Sequence, residues 1–216
     1  MSIRARILIV VIAAIVVLSG ANIVRQLLAF SAQVTEESRA YTEQVQTVYE
    51  TLLRSELSGL SMTLETVVAD EETRAAFAAG NRELLLDKYL SFFESLNETY
   101  GVAQFQFHTP PASSFLRLHR PERFGDDLSE FRNTVIRTNA EQERVAGLEV
   151  GRGGPGTRVV FPISYRGEHV GSVEFGGSLD SILANLRSSF GMEYAIGISN
   201  DVFAAAGRFE ALETDV

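Results

Sequence analysis

Arg117 and His119 stand two residues apart in the run Ser113–Arg120. That spacing puts two side chains on one face of a strand, where both can reach a single ligand. A guanidinium offers a planar fork to a carboxylate, and an imidazole donates or accepts a hydrogen bond near neutral pH. Glu149, Arg158 and Glu174 fall on three further strand-like runs, and Gln106 and His108 share their parity on a fifth. Mixed charge on one sheet face suits a zwitterionic, hydroxy-acid-like or amino-acid-like molecule. Two readings stay open. Either these charges hold a ligand, or Arg117 and His119 simply pair with Glu149 or Glu174 on a solvated face. Charges buried there without partners would be costly, so water or a ligand must be near.

Other chemistry is poorly provided for. His108, His119 and Glu149 are a conceivable metal or haem set, but the chain has neither HExxH nor CxxCH, and no metal or other cofactor is expected. Ser113, Ser114 and His119 are near in sequence, yet no GxSxG elbow surrounds them, so no enzyme is expected. Gly151–Gly156 is glycine-rich but lies between two strand-like runs and lacks a Lys-Ser or Lys-Thr pair, which makes it a hairpin turn rather than a phosphate loop.

The elements that must position these residues are legible from periodicity. After Gly101 the pattern of apolar residues changes from helical to two. Val102–His108, Ser113–Arg120, Arg144–Arg152, Thr157–Tyr165 and Glu168–Gly176 read as strands, with turns at Pro110-Pro111, Gly153-Gly154-Pro155-Gly156 and Arg166-Gly167. Alternation places Phe105, Phe107, Leu116, Leu118, Leu148, Val150, Val159, Phe161, Val173 and Phe175 on one face. Gln104, Gln106, His108, Arg117, His119, Glu149, Arg158 and Glu174 share the other. Asp127 and Glu130 are spaced as a capping box, opening a helix with the stripe Leu128, Phe131 and Val135. The expected fold is α+β, an antiparallel five-stranded sheet backed by long helices.

Upstream, Asp70 reads as the N-cap of a helix that Gly80 ends. Asn81 caps the next, which runs to about Tyr100. Leu27–Val68 contains no proline and reads as one long helix with a break possible at Gly59; about 40 residues at ~1.5 Å each reach on the order of 60 Å. Tyr41, Val45, Val48 and Leu52 are spaced like heptads, and a stepped second stripe continues at Leu53, Leu57, Leu60, Leu64 and Val67. The second stripe is expected to pack on its own domain. The first either does so too or forms a dimer stalk. Downstream, Ser178 is placed to cap a short helix ended by Gly191, and Glu193–Ser199 is a further strand candidate.

The amino terminus sets the compartment. Arg4 and Arg6 precede an apolar run from Ile7 to Val24, about 18 residues and just enough to span a bilayer. The basic residues favour a cytoplasmic N-terminus, which puts the residues after Arg25 outside the cytoplasm. A cleaved signal peptide, with Ser19 and Ala21 as the small residues, is the alternative. A net charge of −9 argues against a nucleic-acid partner, and the absence of cysteine excludes disulfides and thiol chemistry.

The words FQFHTPPASSFLRLHRPERFGDDLSEFR (Phe105–Arg132) and GLEVGRGGPGTRVVFPISYRGEHVGSVEFGGSLD (Gly147–Asp180) resemble the Cache sensor domains of bacterial receptors. The order of elements is most similar to the double-Cache regions of chemoreceptors, sensor kinases and cyclases. The resemblance implies a PAS-like sheet that binds a small ligand outside the cytoplasm and is not catalytic. It also implies that the Arg120–Arg132 segment covers the pocket, with Arg132 placed to close on a ligand; the residues themselves read more simply, with Asp127 as a helix cap and Asp126 as a loop carboxylate. Family members continue into a second module, a second span and a transmitter; Glu193–Ser199 either opens a second module or closes a single one.

The expected layout is a basic end at 1–6, an anchor at 7–25, helices over 26–100, a PAS-like sheet domain over 101–177 and a C-terminal piece over 178–216. The expected function is small-molecule sensing in the periplasm by a single-pass inner-membrane protein, dimeric through its long helix. Its ligand-binding residues are Gln106, His108, Arg117, His119, Arg132, Glu149, Arg158 and Glu174. A membrane-anchored dimerisation module without a ligand is the alternative.

Overall fold

A computed structural model describes residues 2–152 and 154–205; Gly153 of the expected turn and residues 206–216 of the expected C-terminal piece lie outside it. Helix α1 (Ile3–Ala69) runs without interruption through Gly59. Its N-terminal part is long and apolar enough to cross a membrane, and none of that apolar stretch is buried. The chain divides into two compact units, Met1–Val48 and Tyr49–Val216.

In the second unit, α2 (Glu71–Ala78) starts where expected: the Asp70 carboxylate accepts from the Thr73 amide at 2.7 Å. Helix α3 (Arg82–Tyr100) starts the same way, with Asn81 Oδ1 accepting from the Leu84 amide at 3.1 Å. Five strands come next, β1 (Val102–Thr109), β2 (Ser113–Arg117), β3 (Val145–Gly151), β4 (Gly154–Tyr165) and β5 (Glu168–Ser178). They form one antiparallel sheet in the order β2-β1-β5-β4-β3. The β4–β5 hairpin turns at Arg166 and Gly167, whose φ values of 53° and 87° give the backbone hand that a tight two-residue hairpin needs.

Register fixes the faces. Phe105 lies opposite Phe175, Phe107 opposite Val173, and Val159 opposite Phe175. This apolar face packs on the helices through Leu60, Leu64 and Val67 of α1, Phe77 of α2, and Leu85, Tyr89 and Phe93 of α3. The second stripe of α1 therefore packs on its own domain, as expected.

Three expectations are corrected. The helix drawn from Asp127 begins only at Asn133, as α4 (Asn133–Glu141). Residues 125–128 instead run beside β2: the Ser114 amide donates to the Asp126 carbonyl at 3.0 Å and the Leu128 amide to the Ala112 carbonyl at 2.9 Å. Once spent on that edge, these backbone groups are not free to start a helix, and Asp127 caps only a local turn through the Ser129 amide (2.9 Å). The stripe Leu128, Phe131 and Val135 is still buried, with Ala112 and Val160, in a second apolar cluster. Strand β2 ends at Arg117 rather than Arg120, with a register shift at Phe107/His108. Glu193–Ser199 is not a strand; it joins α5 (Asp180–Phe190) to α6 (Asn200–Ala205) without regular structure.

Candidate functional site

The second sheet face is charged and almost fully buried. Gln106 lies opposite Glu174, His108 opposite Ser172 and Ser114, and Arg158 opposite Gly176. On the outer strand, Glu149 is paired with Gly156. Helix α4 lies over this face, its Thr138 hydroxyl donating to the Val160 carbonyl at 3.4 Å.

Arg132, the residue before α4, ties the cover down. Its Nε donates to Glu149 Oε2 at 2.7 Å, and its Nη2 donates to Glu174 Oε2. Glu149 also serves α4 directly: Oε1 accepts from the Thr134 amide and Oε2 from the Thr134 hydroxyl, both at 2.8 Å. A carboxylate from another strand thus does the work of the N-cap side chain that Arg132 does not supply. Arg158 Nε lies 3.5 Å from Glu174 Oε1, and His108 Nε2 lies 3.6 Å from Glu174 Oε2. The first is close enough for charge interaction, the second is a polar contact, and neither is a hydrogen bond.

Electrostatics follow from burial. Burial, with Arg132 adding to it, holds the His108 imidazole well below its ordinary value, so the ring is neutral. Burial alone would lower Arg132, but Glu174 and Glu149 outweigh it and raise the guanidinium. Burial lowers Arg158 more than Glu174 raises it. The face then holds two guanidinium groups against two carboxylates, with no excess charge.

Arg158 has its place through missing side chains. A Cβ on Gly176 would meet Arg158 Nη1 at 2.5 Å, and one on Gly156 would meet it at 2.7 Å. The guanidinium lies over these glycines and donates from Nη1 to its neighbour's carbonyl, Thr157, at 2.9 Å.

Of the eight residues picked from sequence, six come together here: Gln106, His108, Arg132, Glu149, Arg158 and Glu174. Arg117 lies opposite Gln106 on this face but turns its guanidinium to Asp126, and His119 leaves the face. Arg117 pairs with Asp126 through Nη1–Oδ1 at 2.7 Å and Nη2–Oδ2 at 2.9 Å, and Arg152 joins Asp126 at 2.9 Å. This trio knits the loop beyond β2 to the β3–β4 turn. His119 lies past the end of β2, so strand alternation no longer applies; its ring lies against Phe93, with centroids 6.4 Å apart. Phe115, which strict alternation with Arg117 would put on the polar face, sits at the register shift and packs on Phe77 instead (5.1 Å).

Sequence reasoning missed Ser114, Ser172 and Thr134. Ser172 had a signal, two residues before Glu174 on the same strand; Thr134 had none, because its role depends on where α4 starts. Together the face carries a set of buried polar atoms without a hydrogen-bond partner among the described residues: Gln106 Oε1, both His108 nitrogens, Ser114 Oγ, Ser172 Oγ, Arg158 Nε and Glu174 Oε1. Buried polar atoms are rarely left so, and here they cluster on one side of one sheet.

The sensor domain of the histidine kinase DctB from V. cholerae is 16% identical, covering 67% of this chain and 61% of that one, with a TM-score of 0.47. The sensor domain of DcuS from E. coli is 14% identical, covering 66% of this chain and 98% of that one, at 0.44. The ligand-binding domain of the Pseudomonas aeruginosa PAO1 amino acid chemoreceptor PctC, in complex with GABA, is 12% identical, covering 70% of this chain and 69% of that one, at 0.41. No curated protein sequence matches the chain. Residues 35–214 match a double-Cache family described as the double sensory domain of two-component sensor kinase. The match takes in most of the chain, the sheet and both its faces included, and the chain belongs to that sensory, non-catalytic family.

Proposed function

We propose that this chain is the extracytoplasmic sensing part of a membrane receptor, and that it binds a small polar or charged organic ligand between the charged sheet face and α4. The observation that carries the reading is the cluster of unpartnered buried polar atoms at Gln106, His108, Ser114, Arg158, Ser172 and Glu174. A ligand with hydrogen-bonding groups would satisfy them, and burying them for no partner would cost stability. Arg132 and Glu149 close the site, and binding favours one arrangement of α4 against β3 and β5 to the extent that the ligand's affinity differs between arrangements. Residues 7–25 anchor the protein in the inner membrane as a single span, with the sheet in the periplasm. The heptad-like positions Tyr41, Val45 and Val48 of α1 make the contact of a homodimer. A sensor histidine kinase, chemoreceptor or cyclase output fits this arrangement.

The test is a thermal-shift screen of the full chain in detergent micelles against pooled metabolites. A ligand at about 100 times its dissociation constant stabilises by ~2.7 kcal/mol, and the shift should vanish in Arg158→Ala. A well-folded sample that no pool moves, or a hit that Arg158→Ala leaves unchanged, would sink the proposed site.

A further inference from the structure

The carboxylate of Glu149 is held the way a guest would be. Its bonded partners, Arg132 Nε, Thr134 N and Thr134 Oγ1, all belong to one short segment at the start of α4. That segment meets the carboxylate with one guanidinium N–H, one amide and one hydroxyl, at the positive end of a nine-residue helix. Glu149 itself rides on β3, an edge strand, next to Leu148, which is 47% exposed. The segment also opens onto groups that still lack partners. Arg132 bridges from Glu149 to Glu174, and around Glu174 stand His108, Gln106, Ser172 and Arg158, each more than nine-tenths buried and each with an unpartnered polar atom.

Charge decides what could take the place of Glu149. Two guanidinium groups face two carboxylates, and both arginines are buried, at 4% and 3% exposure. If Glu149 swings out and a neutral or cationic group enters, a buried guanidinium is left without its counter-charge, which is strongly unfavourable. If a carboxylate enters, the balance is kept.

We infer that Glu149 is a built-in occupant of an anion site formed by Arg132 and the first turn of α4, and that the sensed ligand carries a carboxylate that displaces it. The inference rests on the sensor reading above and adds the class of ligand, a small organic carboxylate, and the device by which it acts. Displacement cuts the link from β3 to α4, so the outer strand is freed when the ligand is held.

Free acetate and formate are the probes. Glu149→Ala in the full chain, in detergent micelles, should melt below wild type, and acetate should restore at least half of the lost melting temperature in a saturable way. Sodium chloride at equal ionic strength should restore none, and Arg132→Ala combined with Glu149→Ala should abolish the rescue. Glu149→Gln keeps the shape of the side chain and removes its charge, so it guards against misfolding of the alanine variant. A neutral occupant is easier to displace, and acetate should stabilise it at concentrations at least about tenfold lower than wild type requires. Equal shifts by acetate and chloride in both variants would overturn the inference. The metabolite screen answers separately: a cationic hit without acetate rescue would overturn the displacement of Glu149 and leave the sensor reading standing. Acetate rescue without any metabolite hit would leave the anion site standing but overturn the sensor reading, and with it the claim that a sensed ligand displaces Glu149.

Discussion

Replacing Arg132 by alanine should be among the most damaging single changes to the sheet domain. Arg132 is 4% exposed and makes two charged hydrogen bonds, to Glu149 at 2.7 Å and to Glu174. The two carboxylates do not lose equally. Glu149 keeps both bonds from Thr134, whereas Glu174, fully buried, keeps among the described residues only Arg158 at 3.5 Å and His108 at 3.6 Å. Removing one partner of a buried pair and leaving the other charge in place costs about 3–5 kcal/mol. Most of that loss should trace to Glu174, so Glu174→Gln should be less harmful in the Arg132→Ala background than alone, with a coupling of about 1–3 kcal/mol. The chain has no tryptophan, and its long helix dominates the far-ultraviolet signal, so the suitable assay is native-state hydrogen exchange at β1 and β5 amides. Arg137→Ala, which removes only the exposed pair with Glu141, is the control and should leave those amides unchanged. A loss below about 1 kcal/mol, or strict additivity with Glu174→Gln, would refute the claim that Arg132 balances a buried carboxylate.

Two further outcomes rest on the same geometry. Burial, reinforced by Arg117, lowers His119 from 6.5 to about 4, so the fold favours the neutral ring; that stability is fully present above pH 6.5 and is lost as pH falls towards 4. The loss is at most about 3 kcal/mol, and His119→Phe, which suits the neighbour Phe93, should remove it, read as a wild-type-minus-variant stability difference that changes over this window. His108 is lowered in the same sense, chiefly by burial that both proteins share, so the difference reads His119 first; a flat difference would show that His119 is not held neutral. Gly176→Ala should push Arg158 from its seat and cost about 1–3 kcal/mol in denaturant unfolding, and less in an Arg158→Ala background where the seat is empty; equal costs in both backgrounds would mean that the arginine is not what the glycine accommodates.

The strands were legible because period-two alternation survives wherever one face is buried, and the helix starts at Asp70 and Asn81 because a short polar side chain sat at the right offset. The buried charged face was legible for the same reason: Gln106, His108, Arg158 and Glu174 are at fixed parity on regular strands. Prediction failed where regularity stops. A register shift in β2 sent Phe115 to the other side, and the strand's early end released His119 from alternation. The expected salt bridge to Glu149 and Glu174 does exist, but it is made by Arg132 and not by Arg117, because Asp126 lies within reach of Arg117 once the loop has run back along β2. No local pattern encodes such a return. The capping-box spacing at Asp127 and Glu130 was a real local preference that a tertiary contact overrode.

The glycines of β4 and β5 explain how one sheet serves helices on one side and charges on the other. At the register pair Thr157–Gly177 and its neighbour Arg158–Gly176, the sheet has almost no side-chain thickness. On the charged side Arg158 lies across Gly156 and Gly176. On the helical side, Glu56 of α1 accepts from the Thr157 hydroxyl at 2.6 Å, and a Cβ on Gly177 would collide with Glu56 Oε1 and with Thr157 Oγ1 (2.5 Å). Consecutive glycines are poor strand formers, since they cost backbone entropy and bring no side chain to pack. Here the same absence lets a guanidinium and a carboxylate approach the backbone from opposite faces. The Arg158 side chain donates to the carbonyl of Thr157, whose hydroxyl donates to Glu56, so one residue of β4 is bonded both to the charged site and to the long helix. The Gly176-Gly177 pair is therefore read as the place where the site comes nearest to α1, and its cost in strand stability is offset by the two polar contacts it admits.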